Sequence, residues 1–463
     1  MNNRTIVRMS RWANFFNRPG IAALFHSISL GLVFLPEETF RSLKPLIGMS
    51  KEISEIEESV GADIVEALMN EGILVTDDFD DFGYLEEARQ KLLKEITLEL
   101  MYLLVTDHCN LRCGYCFEDS PVLIEPFNPV HMSVEIARDA LDLFARMVAR
   151  YGDPKKKKVI HLYGGEPLMN GGVVRFAVDY ICGLKTRGIL PSVCETAIVT
   201  NGTFLDDEMA RFFSEKGVTV GVSIDGPHEM NNLYRKTKDG ELDVFAAIMR
   251  ALGLLKKYKA KVGLSVTLTS EAVQHFDKLL AFLTDEVGWV DGISLNILHF
   301  NPNIFLPPNY YSDAVRCQIA AFEKFRELGM YEDRMMRKAG AFINRQPIYA
   351  DCGVIGNQLV IAPDGQIGVC QDFVKPRTYF RGSVIDKDSD PVAAGLFKEW
   401  ERRSPFFMKD CLDCPAMGIC GGGCPASAEL KTGSRWNLDE RACAHGKMTI
   451  EWLIWETYAQ LIT

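Results

Sequence analysis

Between residues 97 and 300, short apolar runs alternate with longer segments whose apolar residues recur at helical spacing. Short apolar runs bounded by turn residues are typical of buried strands, and the longer pattern is typical of helices that cover a sheet. Repeated strand and helix units favour a parallel sheet with right-handed crossovers. The pattern predicts strands at residues 98–105, 159–163, 197–200, 218–224, 262–268 and 293–298, and helices that include 134–150 and 245–257.

The first 75 residues have a different pattern, which predicts a small separate domain. Apolar stretches at 21–26 and 30–35 flank a short turn and indicate a hairpin. Pro36 then opens a stretch with apolar residues at helical spacing, namely Phe40, Leu43 and Leu46. We therefore expect a winged-helix-like α+β domain over residues 1–75, followed by an acidic linker or helix over 76–96.

The chain after residue 300 divides into three predicted segments. Several prolines and a helical pattern at 311–328 indicate a bridge over residues 301–350. A cysteine-rich segment follows over 351–445. The last apolar pattern, over 446–463, predicts a closing helix whose tryptophans pack into the core, namely Trp452 and Trp455.

Length, charge and cysteine content narrow the class of protein. A chain of 463 residues accommodates two or three domains, and a formal net charge of −11 disfavours nucleic acid as a partner. No apolar run reaches the roughly 20 residues that span a bilayer, and the first residues lack the pattern of a signal peptide. We therefore expect a cytoplasmic protein with no membrane partner, in which most of the 13 cysteines bind metal.

Three cysteines follow the first predicted strand at the spacing C-x3-C-x2-C: Cys109, Cys113 and Cys116. Three thiolates can ligate three irons of a 4Fe–4S cluster and leave the fourth iron without a protein ligand. An open iron suits a cluster that binds and reduces a small molecule, which makes these cysteines candidate catalytic residues. The alternative is a zinc site, in which His108 would serve as the fourth ligand.

Polar residues stand at the ends of the next predicted strands, where catalytic groups gather in such folds. The second strand ends in Gly164-Gly165-Glu166-Pro167, whose glycines allow the backbone to approach a ligand. Asn201 ends the third strand, and Ser223 and Asp225 share one face at the end of the fourth. Arg235 follows and could pair with a carboxylate. The alternative is that Asn201 is only a turn residue and that Arg235 is only a surface charge. Weaker candidates on the last two strands are Thr267 and Asn296.

Seven further cysteines are concentrated near the C-terminus. The first two flank residues 363–365, Pro-Asp-Gly, a sequence that predicts a hairpin turn. Thiols at such short spacings indicate metal ligation, and a zinc ribbon is one alternative. The seven are Cys352, Cys370, Cys411, Cys414, Cys420, Cys424 and Cys443.

The loop of Cys109, Cys113 and Cys116, with Tyr115 before the third cysteine, resembles the signature of the radical S-adenosylmethionine (SAM) superfamily. That resemblance implies a partial (β/α)6 barrel and reductive cleavage of SAM to a 5′-deoxyadenosyl radical. It also implies that the strand ends contact SAM, with the glycine-rich one at the amino group. The SAM-binding residues implied in this way are Tyr115, Gly164, Gly165, Glu166, Pro167, Asn201, Ser223, Asp225 and Arg235.

The C-terminal cysteines resemble the Fe–S-rich SPASM domain of peptide-modifying radical SAM enzymes, down to the Cys-Gly-Gly-Gly-Cys-Pro at residues 420–425. By that resemblance, one auxiliary 4Fe–4S cluster is fully ligated by Cys411, Cys414, Cys420 and Cys443. A second would be held by Cys352, Cys370 and Cys424, giving three 4Fe–4S clusters in all. Some relatives have an eighth cysteine soon after the first, but residues 353–369 contain none. One iron of the second auxiliary cluster is then open or takes another ligand.

Residues 1–75 resemble the small domain that binds the leader of ribosomally made, post-translationally modified peptides. An N-terminal cap packed on the barrel is the alternative interpretation. If the resemblance holds, the leader of a precursor peptide would add as a strand to an exposed sheet edge. The family resemblance further implies a flavodoxin or ferredoxin-type electron donor as a partner.

Taken together, the resemblances imply hydrogen abstraction from a precursor peptide. The favoured outcome is a thioether or carbon–carbon cross-link, because two auxiliary clusters suit a two-electron oxidation. Epimerisation is an alternative that needs a hydrogen donor, for which the spare thiols are Cys182, Cys194 and Cys317. A formylglycine-forming sulfatase maturase is another, although Gln371 stands where that family has an aspartate and Asp372 follows it. An electron-transfer or peptide-binding protein without radical chemistry is the non-enzymatic alternative.

Overall fold

The structure is a computed structural model that describes residues 5–93, 96–116 and 128–462. The first four residues of the predicted N-terminal domain, residues 94 and 95 of the predicted linker and the last residue of the predicted closing helix lie outside these ranges. Within them, the chain folds into one large mixed sheet, two small three-stranded sheets and the helices that cover them.

The secondary structure of the described residues is numbered in chain order. The strands are β1 (Ile6–Met9), β2 (Ala13–Arg18), β3 (Ile21–His26), β4 (Leu32–Pro36), β5 (Lys51–Glu52), β6 (Leu74–Thr76), β7 (Leu100–Thr106), β8 (Val159–Gly164), β9 (Glu195–Thr200), β10 (Thr219–Ser223), β11 (Lys261–Leu268), β12 (Gly292–Ile297), β13 (Gln358–Ile361) and β14 (Ile367–Gly368). The helices are α1 (Glu37–Leu43), α2 (Ile53–Val60), α3 (Ala62–Asn70), α4 (Asp81–Leu92), α5 (Val134–Tyr151), α6 (Gly171–Thr186), α7 (Asp207–Lys216), α8 (His228–Tyr234), α9 (Val244–Lys257), α10 (Ser270–Gln274), α11 (Phe276–Ala281), α12 (Tyr310–Leu328), α13 (Asp333–Ile343), α14 (Met417–Cys420), α15 (Pro425–Thr432) and α16 (Glu440–Ile462).

The predicted parallel sheet is confirmed as the centre of the fold. Strands β7 to β12 lie side by side in chain order and run parallel, and each is followed by at least one helix. The observed strand ends differ from the predicted ones by no more than two residues. Because strands and crossover helices alternate, the arrangement is the expected α/β fold with a partial (β/α)6 barrel.

The sheet continues beyond β7 with two strands that the sequence pattern did not assign to it. β13 pairs parallel to β7, with Leu359 opposite Met101, and β14 returns antiparallel beside β13. The turn predicted at residues 363–365 connects these two strands. The β13–β14 hairpin therefore belongs to the same sheet as the strand that leads into the first cysteine loop.

Side chains along the strands alternate between two faces of the main sheet, one packed under helices and one open to a cavity. In β8, Ile160 and Leu162 are buried in the main core with residues of α5 and α6. His161 and Tyr163 point the other way and line a cavity. Because successive strand side chains point to opposite faces, the sheet buries one face under helices and presents the other to a ligand space.

The N-terminal region forms two small sheets. β2, β3 and β4 pair antiparallel in that order, which confirms the predicted hairpin, and β1 lies between β5 and β6. Helices α1, α2 and α3 close a core that includes Phe40, Leu43 and Leu68. The region is therefore a small α+β unit, as the sequence pattern led us to expect.

The N-terminal sheets pack on the C-terminal helices. Phe25 and Leu30 share a buried core with Phe342 of α13 and Ile450 of α16. A Cβ atom at Gly418 of α14 would lie 2.5 Å from the carbonyl oxygen of Ser27, so the two regions approach through backbone. The N-terminal region thus rests on α13, α14 and α16.

The acidic segment before residue 96, for which we expected a linker or a helix, contains helix α4 and is ordered by specific contacts. The carboxylate of Asp80 caps α4 by accepting from the N–H of Phe82. Asp81 is 8 % exposed, pairs with Arg8 at 2.7 Å and accepts from the hydroxyl of Ser10 at 2.9 Å. These contacts anchor α4 to the N-terminal sheet.

Helices complete the C-terminal half of the fold. α12 and α16 confirm two predicted helices, whereas α13 lies where the sequence pattern indicated only a bridge. Trp455 is buried as expected, and the half-buried Trp452 donates its indole N–H to Glu323 at 2.7 Å. Among the helices of the described residues, none is both long enough and apolar enough to cross a bilayer.

Candidate active site

A cavity of about 880 Å³ lies against the open face of the main sheet. Its walls come from strands β7 to β12, from the loop after β7 and from the segment around β13 and β14. Cysteines from both halves of the chain line it, namely Cys109, Cys113, Cys116, Cys352, Cys370 and Cys424. The two cysteine-rich regions of the sequence therefore share a single space.

Backbone hydrogen bonds hold the first cysteine loop against the segment that follows α8. The N–H of Arg112 donates to the carbonyl of Lys236 at 2.7 Å, and the N–H of Gly114 donates to the carbonyl of Tyr234 at 3.1 Å. Neither contact depends on a side chain. The loop is therefore held through its backbone, and its three thiols lie on the side that faces the cavity.

Two N–H groups point at the sulfur of Cys109. The backbone N–H of Leu111 lies 3.4 Å from Sγ, and the side-chain amide of Asn201 lies 3.9 Å from it. Asn201 also donates to the side chain of Asn110 at 2.9 Å, which ties the end of β9 to the loop. Donors directed at a sulfur favour the thiolate, which is the form that binds metal.

Gly164 and Gly165 approach the cysteine loop as well as the cavity. Gly164 has a φ of +144°, and a Cβ atom there would lie 2.0 Å from the carbonyl oxygen of Thr106. At Gly165 a Cβ atom would lie 2.5 Å from the carbonyl oxygen of His108. The close approach expected of these glycines is thus made to the backbone of the loop, and a larger residue would push the end of β8 away.

Glu166 and Pro167 lie behind the cavity wall, since neither is among the residues that line it. The buried carboxylate of Glu166 accepts from the hydroxyl of Thr200 at 2.6 Å and from the N–H groups of Asn201 and Leu168 at 2.7 and 3.0 Å. Burial, opposed by these hydrogen bonds, raises the pKa of Glu166 to about 6. Glu166 therefore braces the ends of β8 and β9.

Ser223 ends β10 and lines the cavity, whereas Asp225 does not. The common face that we expected for these two residues is lost because strand geometry stops at Ser223. The fully buried Asp225 accepts from Arg235 Nε at 2.8 Å and from the hydroxyl of Tyr115. Arg235 and Tyr115 both line the cavity, so Asp225 orients two groups that reach the ligand space.

Cys352, Cys370 and Cys424 form the C-terminal part of the cavity wall. The first two stand on either side of the β13–β14 hairpin, and Cys424 precedes α15. Burial raises the pKa of Cys352 to about 11 and that of Cys424 to about 12. Thiols with such values are protonated at neutral pH until a metal ion displaces the proton.

The other four C-terminal cysteines form a separate group that is not part of the cavity lining: Cys411, Cys414, Cys420 and Cys443. They are close enough to influence one another. Burial followed by the proximity of the other three thiols raises the pKa of Cys411 to about 12. Burial and two of the same neighbours raise that of Cys443 to about 12. Such mutual repulsion is relieved when a metal centre takes up the thiolates.

Glycine is required between the two cysteine groups. Gly421, Gly422 and Gly423 have φ values of +73°, +82° and +71°, in the left-handed region. A Cβ atom at Gly421 would lie 2.5 Å from the N atom of Asp351, and one at Gly423 would lie 2.5 Å from the Cβ of Ala442. The tight turn places Cys420 in one group and Cys424 in the other.

Buried cations surround these cysteines. Arg403 is 3 % exposed, and its positive charge interacts with thiols of both groups. Arg441 pairs with Asp439 at 3.0 Å, and Lys338 donates to the carbonyl of Cys420 at 3.3 Å. Burial lowers the pKa of Lys338 to about 8, with the Cys420 thiol opposing the shift. Positive groups at such positions offset the charge of anionic sulfur ligands.

Three cavity residues carried little or no signal in the sequence. His299 lies just beyond the end of β12, and Arg334 donates from Nε to Asn296, the weaker candidate on that strand, at 3.0 Å. Asp372 lies two residues after Cys370. Position after a strand was the available signal for His299. The sequence analysis named Asp372 only for its place after Gln371, and its position in the cavity wall, like that of Arg334, follows from the tertiary structure.

The three spare cysteines lie elsewhere. Cys194 and Cys317 are buried, Cys182 is half-buried in α6, and none of them is among the described residues that line the cavity. Burial raises the pKa values of Cys194 and Cys317 to about 11. Cys194 and Cys317 are therefore core thiols. The described cysteines form no disulfide.

Comparison with known proteins agrees with this geometry. The Radical SAM superfamily model matches residues 103–283. The chain is 23% identical over 480 residues to the radical SAM cyclopropyl synthase TigE of Paramaledivibacter caminithermalis, covering 98% of this chain and 97% of TigE. It is 26% identical over 365 residues to a cysteine-type anaerobic sulfatase-maturating enzyme of Clostridium perfringens, covering 74% of this chain and 92% of that enzyme.

Solved structures have the same fold. anSMEcpe with bound AdoMet superposes with a TM-score of 0.63 at 21% identity, covering 79% of this chain and 94% of that one. SuiB of Streptococcus suis bound to S-adenosylmethionine superposes with a TM-score of 0.53 at 16% identity, covering 94% of this chain and 99% of that one. Residues 103–283, which include the three-cysteine loop and most of the parallel sheet, therefore form a radical SAM domain.

Proposed function

We propose that this enzyme cleaves SAM reductively and abstracts a hydrogen atom from a ribosomally made precursor peptide. The observation that carries the proposal is the shared cavity, which is lined by the first cysteine loop and by Cys352, Cys370 and Cys424. A peptide segment in that space would lie between the site that generates a radical and a site that accepts electrons. The similarity to TigE extends over 98% of this chain, and SuiB, which has the same fold, has been solved with the precursor peptide SuiA bound.

The first cysteine loop fits a 4Fe–4S cluster with one open iron. Its three thiols line the cavity, and two N–H groups point at the sulfur of Cys109. When bound there with SAM, such a cluster supplies the electron that breaks a carbon–sulfur bond of the cofactor. We propose a flavodoxin or ferredoxin-type protein as the source of that electron.

The residues proposed to bind SAM divide into two sets. Those that line the cavity are proposed to contact SAM directly: Tyr115, Gly164, Gly165, Asn201, Ser223 and Arg235. Arg235 is held on one edge by Asp225, which leaves its remaining N–H groups for the SAM carboxylate. Glu166, Pro167 and Asp225 are proposed to support these contacts from behind the wall.

The C-terminal cysteines fit two auxiliary 4Fe–4S clusters better than they fit zinc. Zinc binds thiolate sulfur at about 2.3 Å, so tetrahedral sulfur ligands lie roughly 4 Å apart. Among the described residues, the one group of three or more ligand atoms within 4.8 Å of one another includes a single thiol, that of Cys424. The thiols are therefore spaced more widely than one zinc ion requires. The buried cations Arg403 and Arg441 also suit anionic clusters.

Carbon–carbon bond formation is the proposed outcome. TigE is described as a cyclopropyl synthase, and closing a cyclopropane ring within a residue forms a carbon–carbon bond with loss of two hydrogen atoms. One hydrogen atom would go to the 5′-deoxyadenosyl radical, and the second hydrogen would leave as a proton and an electron, which a site in the cavity wall would accept. Carbon–carbon chemistry is therefore favoured over a thioether.

Sulfatase maturation is the second candidate function. The sulfatase-maturating relative at 26% identity supports it, and so does the position of Asp372, which lines the cavity although it is displaced by one residue from the place of that family's aspartate. Epimerisation is disfavoured because Cys182, Cys194 and Cys317 are not among the described residues that line the cavity.

The radical reaction is tested by incubating anaerobically reconstituted, reduced protein with SAM and measuring 5′-deoxyadenosine. We expect product with dithionite or with reduced flavodoxin, and none above background from a Cys113→Ala control. Equal product from both proteins would contradict the proposal. Mass spectrometry of a precursor peptide then distinguishes the outcomes: loss of two hydrogens with every cysteine still alkylated indicates a carbon–carbon bond, and loss of an alkylated cysteine indicates a thioether.

We further propose that the N-terminal region binds the leader of the precursor peptide. Ile6, Ile47 and Met49 are 45, 50 and 57 % exposed. They lie beside β5, which is an edge strand and pairs with β1 through Glu52 and Ile6. A strand edge that has no partner among the described residues, next to exposed apolar side chains, suits a peptide that adds as a strand.

Leader binding is tested with the Ile47→Asp/Met49→Asp protein and a fluorescent precursor peptide. Both side chains are exposed, so the substitutions should leave folding intact. We expect the affinity measured by anisotropy to fall by about tenfold or more. Ile385→Asp, at a residue 63 % exposed in the C-terminal segment, is the matched control. Unchanged affinity, or an equal loss in the control, would defeat the leader proposal.

A further inference from the structure

We propose that Asp372 is the fourth ligand of the site formed by Cys352, Cys370 and Cys424, where a fourth cysteine is missing. The inference rests on the proposed auxiliary cluster at those thiols and names the group that completes it. A carboxylate then takes the place of a thiolate, and no iron of that cluster is open in the resting enzyme.

A short turn brings Asp372 to the site. Cys370 ends the segment after β14 and is followed by the 3-10 turn Gln371–Phe373, in which Phe373 is buried and Asp372 lines the cavity. A carboxylate oxygen of Asp372, the Sγ of Cys424 and a ring nitrogen of His299 all lie within 4.8 Å of one another. Asp372 therefore connects the segment of Cys370 to that of Cys424.

Asp372 lies in the same cavity wall as the three thiols. It follows Cys370 by two residues and lies within 4.8 Å of the Sγ of Cys424. The carboxylate is therefore close to this group of thiols both along the chain and in space.

Asp372 also lacks a partner of its own. Asp225 is paired with Arg235 and Asp439 with Arg441. For Asp372, by contrast, no side-chain hydrogen bond or ion pair exists within the described ranges of the chain. An unpaired carboxylate beside three thiols is unfavourable. Iron shared with those thiols would give it a partner, since carboxylates are established iron ligands in proteins.

His299 is the other side chain of this group and serves as a comparison. His299 lies just beyond the end of β12, whereas Asp372 is in the turn that directly follows Cys370. We therefore assign the ligand position to Asp372 and use His299 as the matched control.

Oxygen ligation changes what the site can do. Iron–sulfur centres with fewer thiolates have higher reduction potentials, as in Rieske centres, where two histidines replace two cysteines. A carboxylate is also a harder, less strongly held ligand for such a cluster than a thiolate. The site would therefore accept an electron more readily, and it could exchange its carboxylate for a substrate group that enters the cavity.

The test uses the full chain with the first site removed, as a Cys109→Ala/Cys113→Ala/Cys116→Ala parent. After anaerobic reconstitution with iron and sulfide, the signals come only from the C-terminal cysteines. Iron and sulfide are counted, and electron paramagnetic resonance spectra are recorded during a redox titration. Asp372→Cys, Asp372→Ala and His299→Ala are each compared in this background.

We expect Asp372→Cys to keep its iron and to show an altered spectrum and a lower reduction potential, because the site becomes all-thiolate. Asp372→Ala should change its spectrum when a small thiol such as 2-mercaptoethanol is added, whereas the parent should not. His299→Ala should resemble the parent in both measurements.

Unchanged spectra and potentials in both Asp372 variants would overturn the assignment. So would a parent that already responds to the added thiol, or a change confined to His299→Ala. A different failure belongs to the proposed function itself: a parent with iron for a single cluster, unaffected by Cys370→Ala, or with zinc in place of iron, would remove the auxiliary cluster and this inference with it.

Discussion

The two cysteine regions that share the cavity are held in place by different means. The loop with Cys109 is fixed by backbone hydrogen bonds and by the close approach of Gly164 and Gly165. The C-terminal cysteines are set among charged groups, chiefly Arg403 and the Arg441–Asp439 pair. Backbone packing is the main restraint on the first loop, whereas the second region combines the tight turn at residues 421–423 with several buried charges. This difference suits a site that must position a small cofactor on one side and stabilise buried negative charge on the other.

Removing one ligand from each region should give the largest effect and separate their roles. Cys113→Ala should abolish 5′-deoxyadenosine formation, because the first site loses a ligand. Cys370→Ala should still form 5′-deoxyadenosine but yield no modified peptide, because the proposed electron-accepting site loses a ligand. Both products are measured in the same reaction. If Cys370→Ala also abolished SAM cleavage, the two regions would not be functionally distinct.

Removing a charge from the second region should strongly reduce stability. Asp439 is 4 % exposed, pairs with Arg441 and accepts from the N–H of Cys424 at 2.9 Å. Asp439→Asn leaves Arg441 unpaired, so the free energy of unfolding in urea should fall by about 3–5 kcal/mol. Asp413→Asn is the control, since that side chain is 77 % exposed and its pair with Arg11 should be worth under about 1 kcal/mol. Similar losses in both would contradict a charge-dependent region.

Adding one methyl group should disturb the first region. Gly165→Ala places a carbon near the carbonyl of His108 and should cost about 1–3 kcal/mol of unfolding free energy, with reduced SAM cleavage as the loop shifts. The control is Gly172→Ala in α6, where a Cβ atom meets nothing within 4 Å and helix propensity favours alanine. A neutral effect at residue 165 would argue against control by shape.

The smallest effect concerns pH. Because the pKa of Glu166 is raised from 4.5 to about 6, the folded protein binds this proton more tightly than the unfolded chain. The corresponding stability is full below pH 4.5 and is lost as the pH rises through about 6, by roughly 2 kcal/mol. Glu166→Gln cannot titrate, so the wild type should lose about that much more than the variant over this range in urea unfolding.

The second region should respond to pH in the opposite sense. Burial raises the pKa of Asp439, but Arg441 and the N–H of Cys424 more than offset it and hold the value below its usual range. Stability from Asp439 is therefore present above the pKa of the unfolded carboxyl and is lost as the pH falls through the lower folded value. Matching pH trends for Glu166→Gln and Asp439→Asn would show that the two regions do not differ in this way.

Features that depend on local pattern were predictable from the sequence. The six parallel strands were predicted to within two residues because their apolar runs report burial on a sheet. The turn at residues 363–365 and the glycines after β8 were predictable because few residues tolerate such backbone geometry. The cysteines of both cavity walls were found from their spacing, and the cavity lining includes six of them.

Features that depend on distant contacts were not predictable. Nothing near β13 in the sequence indicates that it pairs with β7, and nothing near Asp81 indicates Arg8 as its partner. Within the site, the pattern located the strand ends but not the direction of side chains beyond them. Glu166 and Asp225 were therefore expected to face the ligand, although each lies behind the wall.

The pairing of β13 with β7 sets the width of the active site. Gln358 lies opposite Leu100 and Ile361 opposite Leu103. Neighbouring strands are held about 4.8 Å apart and cannot slip without breaking their ladder of hydrogen bonds. The loop that follows β7 and the hairpin that begins at β13 are therefore held at a fixed distance from each other. A substrate that contacts both segments would have to fit the fixed distance between them.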